Sequence, residues 1–560
     1  MQICLVNSNY CHIPVEMKVV DEDFKIKLHF SETGLLSLGS ILEKYNYQVK
    51  LVDLGWLVTH GRLELNNSYH SEAARLIVNQ NIPVLGFNTR CDTYPSVINI
   101  AKKCKQLNPD SMIIFGGHQA TFTDIETLNT FPFVDIVVRG EGELTLLDLM
   151  NHLKEKKNLQ DVTGITYRDN GKILKNKERE PLRDLDSLPL PAYHLVQEYI
   201  EQDEKNLSRD SRAHILTGRG CPYNCNFCIC SLMEKRIFRM KSPEKIIEEI
   251  LFLKKEYGIS KFEFTHDNFT ADREIVEKIC YSLQENKIGD IKWSCSSRLD
   301  TLDASLIKLM SESGCEGIFI GIESGSRRMQ TSIGKRIDLT LLPKILKECG
   351  KYGIHQVTSF IIGFPDEKLE DLDATLELAL KCCSYQRNSI EFHLLVFMPG
   401  TALFKKYKNR LKYVSLCSDM VSGVMPKLNE NLSLIRKYPH IFSTFYSVKP
   451  KYLPLLLPYE IASGFLDFLF IYPRSYYISI AELGIKPRRL LLEFKKWVKL
   501  KNKIQQRQFV LSKPIIYKYF PSFLKFIYKR RKKSFDFVGS ILKFERQRVE
   551  IFFDAKRKCW

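Results

Sequence analysis

The sequence predicts an α/β chain: two domains of parallel strands and helices, then a mainly helical, basic C-terminal region. Three observations predict it. From the first residues to about residue 400, short apolar runs alternate with helix-length amphipathic segments, the pattern of parallel sheets covered by helices. A proline-punctuated stretch, Asp184-Leu185-Asp186-Ser187-Leu188-Pro189-Leu190-Pro191, interrupts that alternation and reads as a linker. A chain of 560 residues also exceeds what a single core supports. The expected boundaries are 1–155 for the first domain, 156–209 for a hairpin and linker, 210–410 for the second domain and 411–560 for the tail.

In the first domain the strand candidates are Ile3–Val6, Val49–Asp53, Val84–Phe87, Met112–Phe115 and Ile136–Val138, with helix patterns near 35–46, 94–107 and 141–153. Ligands of such sheets lie outside the carboxyl ends of the strands. Asn7, Asn88, Thr89, Gly116, Gly117, His118, Arg139, Gly140, Glu141 and Gly142 therefore gather along one edge. The glycines would let backbone N–H groups approach a bulky ligand, although glycine turns at strand ends are also common without one. Their spacing is wrong for a dinucleotide fingerprint, which gives a nicotinamide cofactor little support. Gly164 to Ile173 reads as a hairpin with Asn170-Gly171 at its turn. The polar run 201–212 reads as exposed.

The second domain opens on Gly218-Arg219-Gly220-Cys221-Pro222-Tyr223-Asn224-Cys225-Asn226-Phe227-Cys228. Three thiols spaced Cys-x3-Cys-x2-Cys suit one soft metal centre, and three ligands leave a fourth iron of a cluster open. A structural zinc site completed by Cys230 is the alternative, though the spacing is not that of common zinc modules. His214–Thr217 reads as the preceding strand, and Ser242-Pro243-Glu244 as the capped start of a helix. Further strands follow at Phe262–Thr265, Lys292–Ser296, Gly317–Ile322, Gln356–Ile362 and Ile390–Val396. Six strands with intervening helices make a partial βα barrel, and its polar residues fall at strand ends, where such barrels keep their chemistry. They are His266-Asp267-Asn268, Arg298, Glu323-Ser324, Gly363-Phe364-Pro365 and Pro399-Gly400-Thr401.

The cysteine loop resembles that of radical S-adenosylmethionine enzymes. Leu35-Leu36-Ser37-Leu38-Gly39, Gly116-Gly117-His118-Gln119-Ala120-Thr121 and Val134 to Glu143 resemble the cobalamin-binding domain that precedes many of them. The resemblance implies a Rossmann-like cobalamin-binding domain followed by a partial (β/α)6 radical S-adenosylmethionine barrel. It further implies a 4Fe–4S cluster on Cys221, Cys225 and Cys228, with S-adenosylmethionine chelated at the open iron. By the same likeness Asp267, Arg298, Glu323, Ser324 and Gly363 position S-adenosylmethionine, and the strand-end residues of the first domain hold cobalamin. The Asp-x-His-x-x-Gly signature of domains that donate a histidine to cobalt is absent. Relatives that methylthiolate transfer RNA carry an upstream cysteine-bearing domain; Cys4, Cys11, Cys91 and Cys104 form no equivalent, with Cys11 alone a candidate pocket residue. Cys382-Cys383 supports no auxiliary cluster.

The implied activity is C-methylation of an unactivated carbon in a peptide, lipid or natural-product substrate, with electrons from an external donor such as flavodoxin or ferredoxin. Rearrangement, cyclisation or oxidation without methyl transfer is one alternative; a non-enzymatic cobalamin or redox sensor is another. An oxygen-labile cluster suits a reducing compartment. Sixteen cysteines without the spacing of a secreted framework, and a start lacking a basic n-region, agree with a cytoplasmic protein.

The formal charge of +18 sits almost wholly in residues 481–560, where 23 Lys/Arg face 6 Asp/Glu, a net of +17. Basic residues there alternate with Phe, Tyr, Leu and Trp. A peripheral membrane surface, an acidic partner, RNA and a plain basic exterior all fit. No RNA module accompanies the stretch, which argues against nucleic acid. The apolar run from Tyr452 to Tyr472 is broken by Glu460, Asp467 and prolines, so buried helices are expected there rather than a transmembrane span.

Overall fold

The computed structural model describes residues 1–8, 28–30, 33–201, 212–286, 288, 290–414, 428–452, 464–466, 468–469, 471–501 and 513–557. Cys11, the polar run 202–211 and most of the apolar run 453–463 lie outside them. The chain starts with β1 (Gln2–Asn7) and β2 (Leu28–Phe30); β2 belongs to the second of two large sheets. The first sheet continues with β3 (Gln48–Asp53), β4 (Val84–Asn88), β5 (Met112–Gly116), β6 (Ile136–Val138), β7 (Ile165–Asp169) and β8 (Lys172–Lys175).

Its order is β3-β1-β4-β5-β6-β7-β8, parallel from β3 to β6 and antiparallel for the last two pairs. Strands β1, β4 and β5 are continuous apolar runs because helices cover both faces. The chain leaves β1 towards β3 on one side and β4 on the other, so a crevice opens at the carboxyl ends of β1 and β4. The hairpin expected within the linker is β7–β8, and it extends this sheet. Asp124 anchors it, accepting from the Thr166 hydroxyl at 2.6 Å and pairing with Lys175 at 3.0 Å.

The linker then packs against the helix Pro243–Tyr257 and the residues that lead into it. Asp186 accepts the Ser242 N–H at 3.0 Å, and the buried Tyr193 hydroxyl donates to Glu249 at 2.6 Å, which also pairs with Lys241 at 2.7 Å. The second sheet gathers β9 (Arg212–Leu216), then, after the short antiparallel pair β10 (Gly218–Arg219) and β11 (Arg239–Met240), β12 (Lys261–Thr265), β13 (Lys292–Arg298), β14 (Cys315–Glu323), β15 (His355–Ile362) and β16 (Asn388–Leu394). Its order is β16-β15-β14-β13-β12-β9-β2, sequential apart from β2 at one edge. Each predicted strand of the domain is present, with helices between successive strands.

By compactness the chain forms two units. One holds residues 1–321, 333–357 and 396–447; the other holds 322–332, 358–395 and 448–560. Residues 396–447, which include the start of the region expected as the tail, belong to the first unit. Leu428, Ile435, Ile441, Phe442 and Phe445 join the core of the first sheet, and Asn431 bridges Asn99 and Ser96 at 2.9 and 2.7 Å. In the other unit the helices Pro473–Leu483, Pro487–Lys501, Lys513–Arg530 and Asp536–Arg557 build a helical end.

Candidate active site

The crevice of the first sheet is shaped by backbone that tolerates no side chain. Gly117 has φ +102°, and a Cβ there would lie 2.7 Å from the Thr89 carbonyl. Thr89 braces this turn: its N–H and hydroxyl both donate to the Gly116 carbonyl, at 2.8 and 2.7 Å, and its hydroxyl accepts the Ala120 N–H at 3.0 Å. The Ser8 hydroxyl, just beyond β1, donates to the Asn88 carbonyl at 2.9 Å. Asn7 is buried and its side chain hydrogen-bonds Asp53. Gly140, at φ +70°, faces open space, and its N–H donates to Thr121 at 3.2 Å. The predicted residues of this edge are thus brought together, Asn7 as part of its frame.

His118 is exposed to solvent although protein crowds around it. Burial lowers its pKa, partly opposed by the carboxylate of Asp267. Asp267 follows β12 and is also exposed. The same carboxylate lies within electrostatic reach of Cys221, Cys228 and Cys230. Within the first unit, one aspartate therefore joins the loop after β5 to the cysteine loop after β10.

The cysteine loop is held from both sides. Gly218 and Gly220 permit approaches that a Cβ would block, at 2.4 Å from the Arg239 carbonyl and 2.1 Å from the Ile237 carbonyl. Asn226 donates its N–H to Ile333 and accepts that of Leu403, both at 3.0 Å. The thiols of Cys221, Cys225 and Cys228 are partly exposed. A hydrogen bond from Cys230 pulls the Cys228 thiol down to about 7, whereas burial pushes Cys221 up to about 11. Cys230 thus serves Cys228 as a donor. No three His, Cys, Asp or Glu side chains among the described residues are grouped to hold a single metal ion. Three soft donors on one glycine-shaped loop, with one already acidified, fit a cluster that spreads its ligands over several irons.

Arg298, at the end of β13, braces this loop. Its guanidinium lies 3.7 Å from the Tyr223 ring, forks onto Asp300 at 3.0 and 2.9 Å, donates to the Lys335 carbonyl at 2.9 Å and points at the Cys225 sulfur at 4.0 Å. Every nitrogen of the group is engaged inside the protein.

A buried ion network, which sequence reasoning missed, joins the cysteine loop to the first domain. Arg219, two residues before Cys221, donates to Glu143 at 3.2 Å and lies 3.4 Å from Glu141. Glu141 meets Arg239 at 2.7 Å and accepts the Leu182 N–H at 2.6 Å. Burial and the Glu141 carboxylate push Glu234 up to about 8. Burial also raises Glu141, but the hydrogen bond from Glu234 and the guanidinium groups of Arg219 and Arg239 outweigh it and leave Glu141 below its ordinary value. A cavity of about 280 Å³ lies against this network, lined by Gly140, Glu141, Leu232 and Met233 among others. The only sequence signal was an unusual density of charge beside glycines in Arg139 to Glu143 and Gly218 to Gly220.

In the other unit, Glu323 ends β14 in a left-handed conformation, φ +65°, and is buried. A non-glycine residue held there marks a locally constrained backbone. Ser324 is buried against Thr375 at 3.0 Å. Gly363, φ +90°, donates its N–H to Glu367 at 2.7 Å, and burial pushes that carboxyl up to about 8.

A profile of the B12 binding domain matches residues 24–150, and one of the Radical SAM superfamily matches residues 215–379. An uncharacterized methyltransferase of Pyrococcus horikoshii is 33% identical over 372 residues, covering 66% of this chain and 77% of that protein. An anaerobic magnesium-protoporphyrin IX monomethyl ester cyclase of Rubrivivax gelatinosus is 26% identical over 284 residues, 49% of this chain and 50% of that enzyme. Among solved structures, the radical S-adenosylmethionine methyltransferase TsrM of Kitasatospora setae, with cobalamin and a 4Fe–4S cluster bound, aligns with a TM-score of 0.62 at 15% identity. The alignment covers 88% of this chain and 99% of that one, a likeness of fold. A B12-binding domain followed by a radical S-adenosylmethionine domain makes cobalamin, S-adenosylmethionine and a 4Fe–4S cluster the cofactors of an enzyme. With both domains matched in that order, and one residue in three shared across most of the Pyrococcus protein, the chain belongs to the cobalamin-binding radical S-adenosylmethionine enzymes.

Proposed function

We propose that the chain is a C-methyltransferase acting on an unactivated carbon of a peptide, lipid or natural-product substrate. The observation that carries this reading is the Asp267 carboxylate, exposed after β12 and within electrostatic reach of both His118, after β5, and the cysteine loop. When bound, the cofactors supply a 5′-deoxyadenosyl radical that removes a hydrogen atom from the substrate and a methyl group that takes its place. This chain's residues bind, orient and exclude. Cys221, Cys225 and Cys228 would hold the cluster, with Cys230 stabilising the Cys228 thiolate. Asp267 would accept hydrogen bonds from S-adenosylmethionine. Arg298 would support the loop from behind, since its donors are already taken. Glu323, Ser324 and Gly363 would line the nucleoside end. Asn88, Thr89, Gly116, Gly117, His118 and Gly140 would seat the cobalamin, with Asn7 framing the crevice and Glu141 bracing its rim.

In this reading 1–155 and 210–410 are the two catalytic domains, the second an open six-stranded βα barrel, and an external flavodoxin or ferredoxin delivers the electron in a reducing compartment. A second reading, a cyclisation or rearrangement without methyl transfer, draws support from the cyclase relative. Anaerobic reconstitution with iron, sulfide and cobalamin, followed by incubation with methyl-labelled S-adenosylmethionine and candidate substrates, separates them. Methyl transfer yields 5′-deoxyadenosine and S-adenosylhomocysteine together with a labelled product. Deoxyadenosine alone, with no carbon added, selects the second reading. Cys225→Ala is expected to abolish every product, and intact S-adenosylmethionine under strong reductant in the wild type sinks both readings.

A further inference from the structure

The helical end of the second unit satisfies its apolar demand from within. Phe468 stacks on Tyr476 at 4.8 Å and meets Phe520 edge-on at 4.5 Å, while Phe494 lies 5.3 Å from Phe523. Ile516, Leu524, Ile527, Tyr528, Val538 and Leu542 are buried on the inner faces. Large apolar side chains nevertheless remain outside this core: Phe526 is 46% exposed, Phe537 62%, Phe544 61% and Leu500 71%. Phe537 and Phe544 are seven residues apart on one helix and share a face. The Phe526 ring meets that of Trp497 at 6.3 Å, and the Trp497 helix also carries Leu500.

Cations flank Phe526 along its helix and in the turn that follows. Lys525, Lys529 and Arg530 are exposed on the helix Lys513–Arg530, and Lys532 and Lys533 are exposed in the turn after it. The whole stretch 481–560 has 23 Lys/Arg against 6 Asp/Glu. Lysines alone would serve any polyanion. Protruding phenylalanines and a leucine, which bring no hydrogen-bonding group, serve one that offers hydrocarbon just beneath its charge. No helix among the described residues is long and apolar enough to cross a membrane.

We infer that the exposed apolar and basic side chains of this helical end, Phe526 with Lys525, Lys529 and Arg530 first among them, dock on an anionic lipid bilayer and lie in its headgroup layer. Charge complementarity selects the anionic headgroup, and the aromatic side chains select the acyl boundary below it.

The test uses full-length protein floated with vesicles of phosphatidylcholine alone, or of phosphatidylcholine and phosphatidylglycerol in equal parts. The protein is expected to float with the mixed vesicles only, and less as salt is raised. The charge variant Lys525→Glu/Lys529→Glu/Arg530→Glu is expected to lose binding by about tenfold or more. A second variant, Phe526→Ser/Phe537→Ser/Phe544→Ser, keeps every charge and is expected to weaken binding severalfold. Both change exposed positions, so their thermal melting is expected to match the wild type. Equal flotation with both vesicle types, or with neither, overturns the inference. Undiminished binding by the phenylalanine variant reduces the face to a basic exterior. Single-stranded RNA that strips the protein from mixed vesicles at equal phosphate concentration assigns the face to nucleic acid instead.

Discussion

Arg298 shows how a single residue can brace a cofactor loop from behind. Its planar fork meets Asp300 with two parallel hydrogen bonds while its face lies on Tyr223 and its remaining edge turns to Cys225. Lysine keeps the charge but offers neither fork nor plane. Arg298→Lys is therefore expected to destabilise the apo protein by about 2 kcal/mol, because the half-buried Asp300 loses one of its two donors; chemical denaturation measures it. After reconstitution, the same variant is expected to shift the reduction potential of the cluster, since an N–H donor aimed at a ligand sulfur is lost. An unchanged denaturation midpoint would remove Arg298 from the loop's support. At this scale the three cysteines were legible because their signal is local: eight consecutive residues contain it. Arg298 stood out only as a polar residue at a strand end. Its partners Tyr223, Cys225, Asp300 and Lys335 come from separate stretches of chain, so its role as a brace was not legible. Likewise Glu141 read as a cofactor contact, because Arg219 and Arg239, which engage it, come 78 and 98 residues later.

Between elements, the ionisable side chains of Glu141, Glu143, Glu234, Arg219 and Arg239 fasten β10 and β11 to the helix Glu143–Glu155 and the turn before it. Glu234 retains a proton in the folded state up to about 8, against an ordinary 4.5. A carboxyl raised on folding stabilises the fold fully below its unfolded value and loses that contribution as pH climbs through the folded one. Stability is therefore expected to fall between 4.5 and about 8 through this group. Glu234→Gln keeps a hydrogen-bond donor for Glu141 without a titrating proton, so its melting temperature is expected to decline less steeply over that window. A slope identical to wild type would show that Glu234 does not hold its proton. The elements themselves were mostly legible, since β1, β4 and β5 are apolar runs bounded by turns, while β9, β12 and β13 of the second sheet alternate buried with less buried residues. What escaped was pairing at a distance. The three residues of β2 are too few to carry a period, and nothing near Asn431 says that it will bridge Ser96 and Asn99.

For the whole molecule, residues 396–447 and 448–560 fall in different compact units. Residues 358–395 pack with 448–560 in one compact unit, although residues 396–447 of the other unit intervene in sequence. The joins are specific. Asp373, buried on the helix Leu369–Cys382, takes the Arg488 fork at 2.7 and 2.9 Å. Phe360 stacks on Phe392 at 5.3 Å, and Phe392 meets Phe465 edge-on at 5.6 Å. Lys451 donates its N–H to the Pro365 carbonyl at 2.7 Å, two residues beyond Gly363. A chain ended after Ser447 would leave Asp373 without Arg488 and bare Phe392, and the cost of one uncompensated buried carboxylate alone is about 3–5 kcal/mol. An appended tail predicts the opposite: a truncated protein that still melts cooperatively near the wild-type temperature. The packing predicts that the truncated chain aggregates or melts without a cooperative transition, whereas Arg488→Met in the full chain lowers the melting temperature yet keeps one sharp transition. Calorimetry on the two proteins side by side decides it. A soluble, cooperatively melting truncation would make residues 448–560 an attachment, not part of the fold that carries β15 and β16.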